Sequence, residues 1–162
     1  MHRKKLDIFY SRDRDAAEIA MQALYDEYRE ILEPSIAGSL ELDKECFSED
    51  RNQYNADLLL SKMKQKDLFL WIVHEDLYSD NLNFVFGCAV PFKGAVLSTF
   101  RLRSKDLIEK EAIHEIGHVL GLDHCNNRCV MMFSNSLYEA LLKPRSLCSF
   151  CKEKLRELYG YV

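Results

Sequence analysis

No run in these 162 residues is long and apolar enough to cross a bilayer, which takes about 20 consecutive apolar residues. A signal-peptide core is lacking as well, since the apolar stretch Leu6 to Tyr10 is followed at once by Ser-Arg-Asp-Arg-Asp. Both absences argue against a membrane partner and for a cytoplasmic protein. There is no excess of positive charge. The formal net charge is −4, and the basic clusters at Arg3 to Lys5, Lys62 to Lys66 and Arg101 to Lys105 are short, so they read as solvated faces and not as a nucleic-acid surface. Internal repeats and low-complexity tracts are missing too, which sets solenoids aside. The 48% hydrophobic content is enough to bury one core, and the chain is too short for two large ones. Residues 1–162 are therefore expected to form a single domain, most simply a monomer.

The cysteines come in a pattern. Without an export signal, six cysteines read as thiols or metal ligands before disulfides. Four of them form two close pairs, Cys125-x-x-x-Cys129 and Cys148-x-x-Cys151. Such pairs suit a closed tetrahedral zinc, with a redox pair at Cys148 and Cys151, two disulfides or an iron-sulfur cluster as the alternatives. Cys46 and Cys88 have no partner pattern and read as buried thiols acting as small apolar side chains.

The densest chemistry lies in His114 to Cys125, His-Glu-Ile-Gly-His-Val-Leu-Gly-Leu-Asp-His-Cys. On an α-helix His114 and His118 stand about 40° apart around the axis and roughly 6 Å along it, so both imidazoles can reach one metal ion. Glu115, about 100° round from His114, is badly placed as a third ligand but close enough to hold a water on that metal, which makes it a candidate general base. His124 joins them only if the helix stops, because a continued helix would carry it roughly 15 Å beyond His114. Gly121 is placed to stop it, since glycine enters the left-handed conformation without a Cβ penalty. Three neutral imidazoles leave a fourth position open, the arrangement of a catalytic zinc. A chance His-Glu-x-x-His arises in roughly one chain in a few hundred of this length, and fixing Gly121 and His124 makes chance far rarer.

Periodicity places these residues in an α/β frame. A first strand is expected at Lys5 to Tyr10, then a helix from Asp13 to Leu32, capped by Ser11 and ended by Pro34. Ser35 to Phe47 is ambiguous, with Leu40 and Leu42 hinting at a short strand, and Asp50 to Gln53 reads as a loop. A second helix over Asn55 to Lys66 leads into Asp67 to Val73, whose run Leu-Phe-Leu-Trp-Ile-Val suits a strand covered on both faces. Strand, helix and strand in this order imply parallel connections. Phe84 to Val90 and Ala95 to Leu102 read as strands joined across Pro91-Phe92-Lys93-Gly94, one of them antiparallel to the rest. Ser104 can cap the helix that ends at Gly121, with Ala112, Ile113, Ile116, Val119 and Leu120 on the arc opposite the histidines. Leu137 to Leu142 reads as a short helix ended by Pro144.

The stretch His114 to His124 resembles the metzincin signature, His-Glu-x-x-His-x-x-Gly-x-x-His, in full. With a Cys directly after the third histidine, then Cys-x-Met and a distal Cys-x-x-Cys, the sequence is similar to the archaemetzincins of compact prokaryotic type. Asn-Phe-Val-Phe-Gly at Asn83 to Gly87 and Phe-Ser-Asn-Ser at Phe133 to Ser136 extend the resemblance. It implies a metzincin-like α/β (α+β) fold, a mixed twisted sheet packed on helices. Residues 1–121 would carry the sheet and active-site helix, and residues 122–162 a small zinc-bound C-terminal part. It implies a zinc metallopeptidase with two zinc ions per chain. His114, His118 and His124 would hold the catalytic one, with Glu115 activating its water, and Cys125, Cys129, Cys148 and Cys151 the structural one. Met131 would be the methionine-turn residue. Peptide or protein substrates are implied, lying along an edge strand for which Phe84 to Val90 is the choice, and Tyr138 is a candidate oxyanion partner. Three residues separate Cys125 from Cys129 where the family is expected to have four, which tightens that loop. Two other readings are a zinc-containing peptide- or protein-binding module with weak or no catalysis, and a non-peptidase zinc hydrolase.

Overall fold

The computed structural model describes residues 2–161. Strand β1 (Lys4–Tyr10) buries Leu6 and Ile8 completely. Helix α1 (Arg14–Tyr28) follows, shorter than its apolar pattern suggests. Asp13, not Ser11, caps it, accepting the Ala16 N–H at 3.0 Å. The Ser11 hydroxyl is occupied elsewhere, accepting from the His74 N–H and donating to Glu75. Ile31 and Leu32 are buried as expected, but from the turn after the helix and the first residue of β2 (Leu32–Ser39). Pro34 therefore lies inside a strand instead of ending a helix. It is tolerated because β2 is an edge strand, paired parallel with β1 on one side only. The inward positions of β2 are Pro34, Ile36 and Gly38, too weakly apolar to make the period of two legible in the sequence.

A 3₁₀ turn at Lys44–Cys46 leads into β3 (Phe47–Ser48), which forms a three-stranded sheet with β4 (Gln53–Asn55) and β6 (Leu77–Tyr78). Asn55 caps α2 (Ala56–Lys62), accepting the Leu58 N–H, and the helix stops short of the expected Lys66. Strand β5 (Leu68–Val73) is central, and Phe69 to Val73 are all buried, as its unbroken apolar run requires. The main sheet has the order β2-β1-β5-β8-β7, in which β7 (Gly87–Val90) and β8 (Gly94–Ser98) form an antiparallel hairpin and the other pairs are parallel. β7 is thus an edge strand.

Ser104 caps α3 (Lys105–Val119), and Ala112, Ile113, Ile116, Val119 and Leu120 are all buried against the sheet and α1. The hairpin tip is tied to the end of this helix by the Phe92 N–H, which donates to Val119 O at 2.7 Å. Helix α4 (Leu137–Leu142) stands where it is expected, but α5 (Ser149–Tyr159) is an addition to the sequence reading. Its signal was present: Cys151, Leu155 and Tyr159 recur every four residues, and Gly160 ends the helix in the left-handed conformation. The Tyr159 hydroxyl donates to Leu120 O at 2.8 Å, docking α5 on the end of α3.

Candidate metal centres and active-site cleft

Helix α3 sets His114 and His118 one turn apart, with ring centroids 4.7 Å apart. The helix then ends as its glycine dictates. Gly121 has φ of +106°, its N–H returns to His118 O, and the Leu122 N–H returns to Gly117 O. The chain reverses and brings the His124 ring to 5.4 Å from His114 and 4.8 Å from His118. The ligating atoms of the three histidines all lie within 4.8 Å of one another. A Cβ at position 121 would also meet the Phe92 ring at 3.1 Å. Gly121→Val is therefore expected to displace His124 and weaken zinc binding by about tenfold or more. Competition with a chelating dye measures this, and wild-type affinity would show that the turn tolerates a side chain.

The hydrogen bonds fix how two of the rings face. Nδ1 of His114 donates to Val130 O and Nδ1 of His118 to Leu122 O, each at 2.8 Å. A carbonyl only accepts, so the proton sits on Nδ1 and each Nε2 keeps a bare lone pair. Those two Nε2 atoms face each other at 3.1 Å. Lone pairs so close repel unless a cation lies beside both, and tetrahedral zinc with Zn–N near 2.0–2.1 Å sets its nitrogens about 3.3 Å apart. Burial lowers the proton affinity of all three imidazoles, that of His114 most, where the nearby Lys143 ammonium adds to the effect. They stay neutral, the state a metal needs. The donor set fits zinc.

A cleft of about 440 Å³ opens over these rings. Residues 82–89, including Gly87 to Ala89 of β7, form one wall, Phe133 to Asn135 the other, and α3 the floor. Glu115 is buried in this floor, and burial, with Glu111 nearby, pushes its carboxyl up to about 8. Gly87 on β7 is what lets the strand lie against it. A Cβ there would stand 2.8 Å from Glu115 Cγ and 2.7 Å from Val96 O, and the carbonyl belongs to the rigid hairpin partner. Gly87→Ala is expected to shift Glu115 and lower kcat/KM by about 10²-fold while zinc content stays at the wild-type level. Unchanged turnover in a peptide assay would show that Glu115 has room to spare.

The upper part of that wall departs from expectation. Phe84 to Phe86 lie outside β7, held by the isolated bridge of Val85 to Leu77 and by the Ser98 N–H, which donates to Phe86 O at 2.8 Å. Arg101 holds them. Its guanidinium stands 4.0 Å from the Phe84 ring centroid while pairing with buried Asp76 at 3.0 and 2.8 Å, so this member of a basic cluster is not merely solvated. Met131 is fully buried with its thioether against Gly117 of α3, and its carbonyl accepts the Cys125 N–H at 3.0 Å. Tyr138 is 69% exposed and lies outside the cleft lining, so it offers no oxyanion contact.

The second cluster adjoins the first, since Cys125 follows His124. The Sγ atoms of Cys125, Cys129, Cys148 and Cys151 all lie within 4.8 Å of one another, the tight Cys125 to Cys129 loop notwithstanding. Cys125 and Cys148 are 3.8 Å apart, far beyond a disulfide bond and close to the spacing of about 3.8 Å on a ZnS₄ tetrahedron. Burial raises the Cys148 thiol but is outweighed by the Cys151 N–H, the Asn127 amide and the neighbouring thiols, which bring it down to about 6. Burial pushes Cys129 and Cys151 up. A thiolate is stabilised at Cys148, and four thiolates so close together would need a divalent cation. Cys46 is buried as expected, whereas Cys88 is half-buried with Sγ 3.4 Å from Asp57 Oδ1.

A family model described as Peptidase family M54 matches residues 7–157. The chain belongs to that family. Among its relatives, the archaemetzincin of Nanoarchaeum equitans is 46% identical over 129 residues, covering 78% of this chain and 76% of the relative. That of Methanocaldococcus jannaschii is 44% identical over 132 residues, 72% of this chain and 74% of the relative. The crystal structure of archaemetzincin from Archaeoglobus fulgidus complexed with malonate superposes with a TM-score of 0.87 at 35% identity, over 93% of this chain and 99% of that one. Archaemetzincin from Methanopyrus kandleri gives a TM-score of 0.87 at 31% identity, over 98% and 97%. As a member of the M54 family the protein is a zinc metallopeptidase acting on peptides or proteins, with the archaemetzincin fold.

Proposed function

We propose that His114, His118 and His124 hold the catalytic zinc of this metallopeptidase, that Glu115 is its general base, and that the substrate lies extended along β7. The observation that carries the reading is the pair of bare Nε2 atoms 3.1 Å apart on the helix that also presents Glu115 to the cleft. Zinc bound there would lower the pKa of water to about 7 and polarise the scissile carbonyl. Glu115 takes the proton of the attacking water and delivers it to the leaving amine nitrogen, base and then acid. Burial raises its proton affinity, which helps it hold the transferred proton until the amine leaves. Among the described residues no strand pairs with the outer side of β7, which offers N–H and C=O groups to a substrate backbone. Phe133, whose ring centroid is 5.1 Å from that of His124, borders the opposite side of the cleft.

Cys125, Cys129, Cys148 and Cys151 would hold a second, closed zinc that ties the turn after α3 to α5. On this reading residues 1–162 act as one monomeric, cytoplasmic domain, with the sheet and active-site helix in residues 1–121 and the thiol site in residues 122–162. Intact Glu115 and His124 disfavour the binding-module reading. Metal analysis and a peptide-library assay, before and after chelation and zinc return, test the proposal. Two zinc ions per chain and zinc-dependent cleavage are expected. Full zinc loading without cleavage of any peptide would favour a binding module.

A further inference from the structure

Lys143 and Glu111 form an ion pair beside the histidines that the proposed mechanism does not use. Their side chains are 1% and 4% exposed, and Nζ stands 2.9 Å from Glu111 Oε2. The same Nζ lies 3.3 Å from Met132 O and 3.4 Å from Nδ1 of His114. Nδ1 therefore has two neighbours with opposite demands. Val130 O can only accept, which keeps a proton on Nδ1, whereas the ammonium can only donate, which favours a bare Nδ1. In a neutral imidazole a bare Nδ1 puts the proton on Nε2, and a protonated Nε2 cannot take a metal. The carboxylate arbitrates. Glu111 sits three residues before His114 on the same face of α3, and its charge-assisted bond draws Nζ away more strongly than a neutral acceptor can.

We propose that Glu111 is a positioning residue for the metal site: by holding the Lys143 ammonium, it keeps His114 in the Nδ1–H tautomer that presents Nε2 to zinc. The inference rests on the reading of His114 as a ligand. Wild type is compared with Glu111→Met, Lys143→Met and the double variant, by ¹⁵N imidazole shifts of proteins from which only the histidine-site zinc has been removed, zinc affinity and melting temperature. Glu111→Met should move His114 toward the Nε2–H tautomer and weaken zinc binding about 10- to 100-fold. Lys143→Met should keep the tautomer and stay within about threefold of wild-type affinity, although leaving Glu111 buried and unpaired lowers its melting temperature by about 10 °C. The double variant should regain wild-type affinity. If Glu111→Met keeps the Nδ1–H tautomer, or the double variant binds zinc as weakly as Glu111→Met, the pair only fastens α4 to α3 and the proposal falls. Should Glu111→Met not fold, Glu111→Gln makes the same comparison with a weaker acceptor. Wild-type zinc affinity in His114→Ala would overturn the ligand reading itself, a separate result.

Discussion

Glu115→Gln is expected to lower kcat/KM by about 10²–10⁴-fold or more while the chain keeps its zinc, because the substitution removes a proton acceptor and not a ligand. A second consequence separates this carboxyl from an ordinary buried one. Its folded-state pKa, about 8, lies above the unfolded value near 4.3, so the native protein with its histidine site empty binds the extra proton between those limits. Stability from this group is therefore fully present below about pH 4 and is lost progressively as pH rises toward 8, amounting to about 3 kcal/mol by neutrality. Glutamine titrates nowhere in that range. With the histidine site empty in both, the variant should match wild type near pH 4 and melt several degrees higher near pH 8. Scanning calorimetry at the two pH values checks this, and a variant that kept most of its turnover or lost its zinc would remove Glu115 from the role of base.

Much of the site was legible because its chemistry is local in sequence. His114, His118, Gly121 and His124 span eleven residues, and helix geometry plus one left-handed glycine suffices to converge them. The four cysteines were legible as pairs, although only the fold brings Cys148 to Cys125 across 23 residues of sequence. What the sequence hid is tertiary. Gly87 reads as an ordinary strand glycine until Glu115 is seen 2.8 Å from where its Cβ would stand. Glu111 and Lys143, 32 positions apart, pair only because α4 returns over α3. In the frame, β5 and the existence of the β7–β8 hairpin were readable from an unbroken apolar run and the turn after Val90, although Gly94 already pairs with Val90 and β8 stops at Ser98, short of the expected Leu102. β2 was not, since an edge strand with Pro34 and Gly38 facing inward shows little hydrophobic period. Tyr138 was misread because a tyrosine near the motif says nothing about which side of α4 it takes.

Cys148→Ser is expected to be the most damaging single change in the molecule. Cys148 is the N-cap residue of α5, Cys151 lies in the first turn of that helix, and Cys125 and Cys129 flank the loop just after His124. A metal on these sulfurs therefore joins the catalytic turn to the C-terminal helix. Structural zinc contributes about 10–16 kcal/mol in isolated fingers, comparable with the whole stability of a small domain at about 5–15 kcal/mol. A serine hydroxyl keeps its proton near neutrality and cannot replace the thiolate. Metal analysis should fall from two zinc ions to one or none, the melting temperature should drop by more than about 10 °C, and cleavage should fail because Cys125 no longer anchors the residue after His124. His124→Ala provides the contrast. That site is open, its zinc is not required to close the chain, and the variant should lose one zinc and its activity while melting close to wild type. If Cys148→Ser instead keeps two zinc ions, full turnover and the wild-type melting temperature, the four-thiolate assignment is wrong. Cys148 and Cys151 would then be a redox pair at the start of α5, and the 3.8 Å between Cys125 and Cys148 no more than close packing.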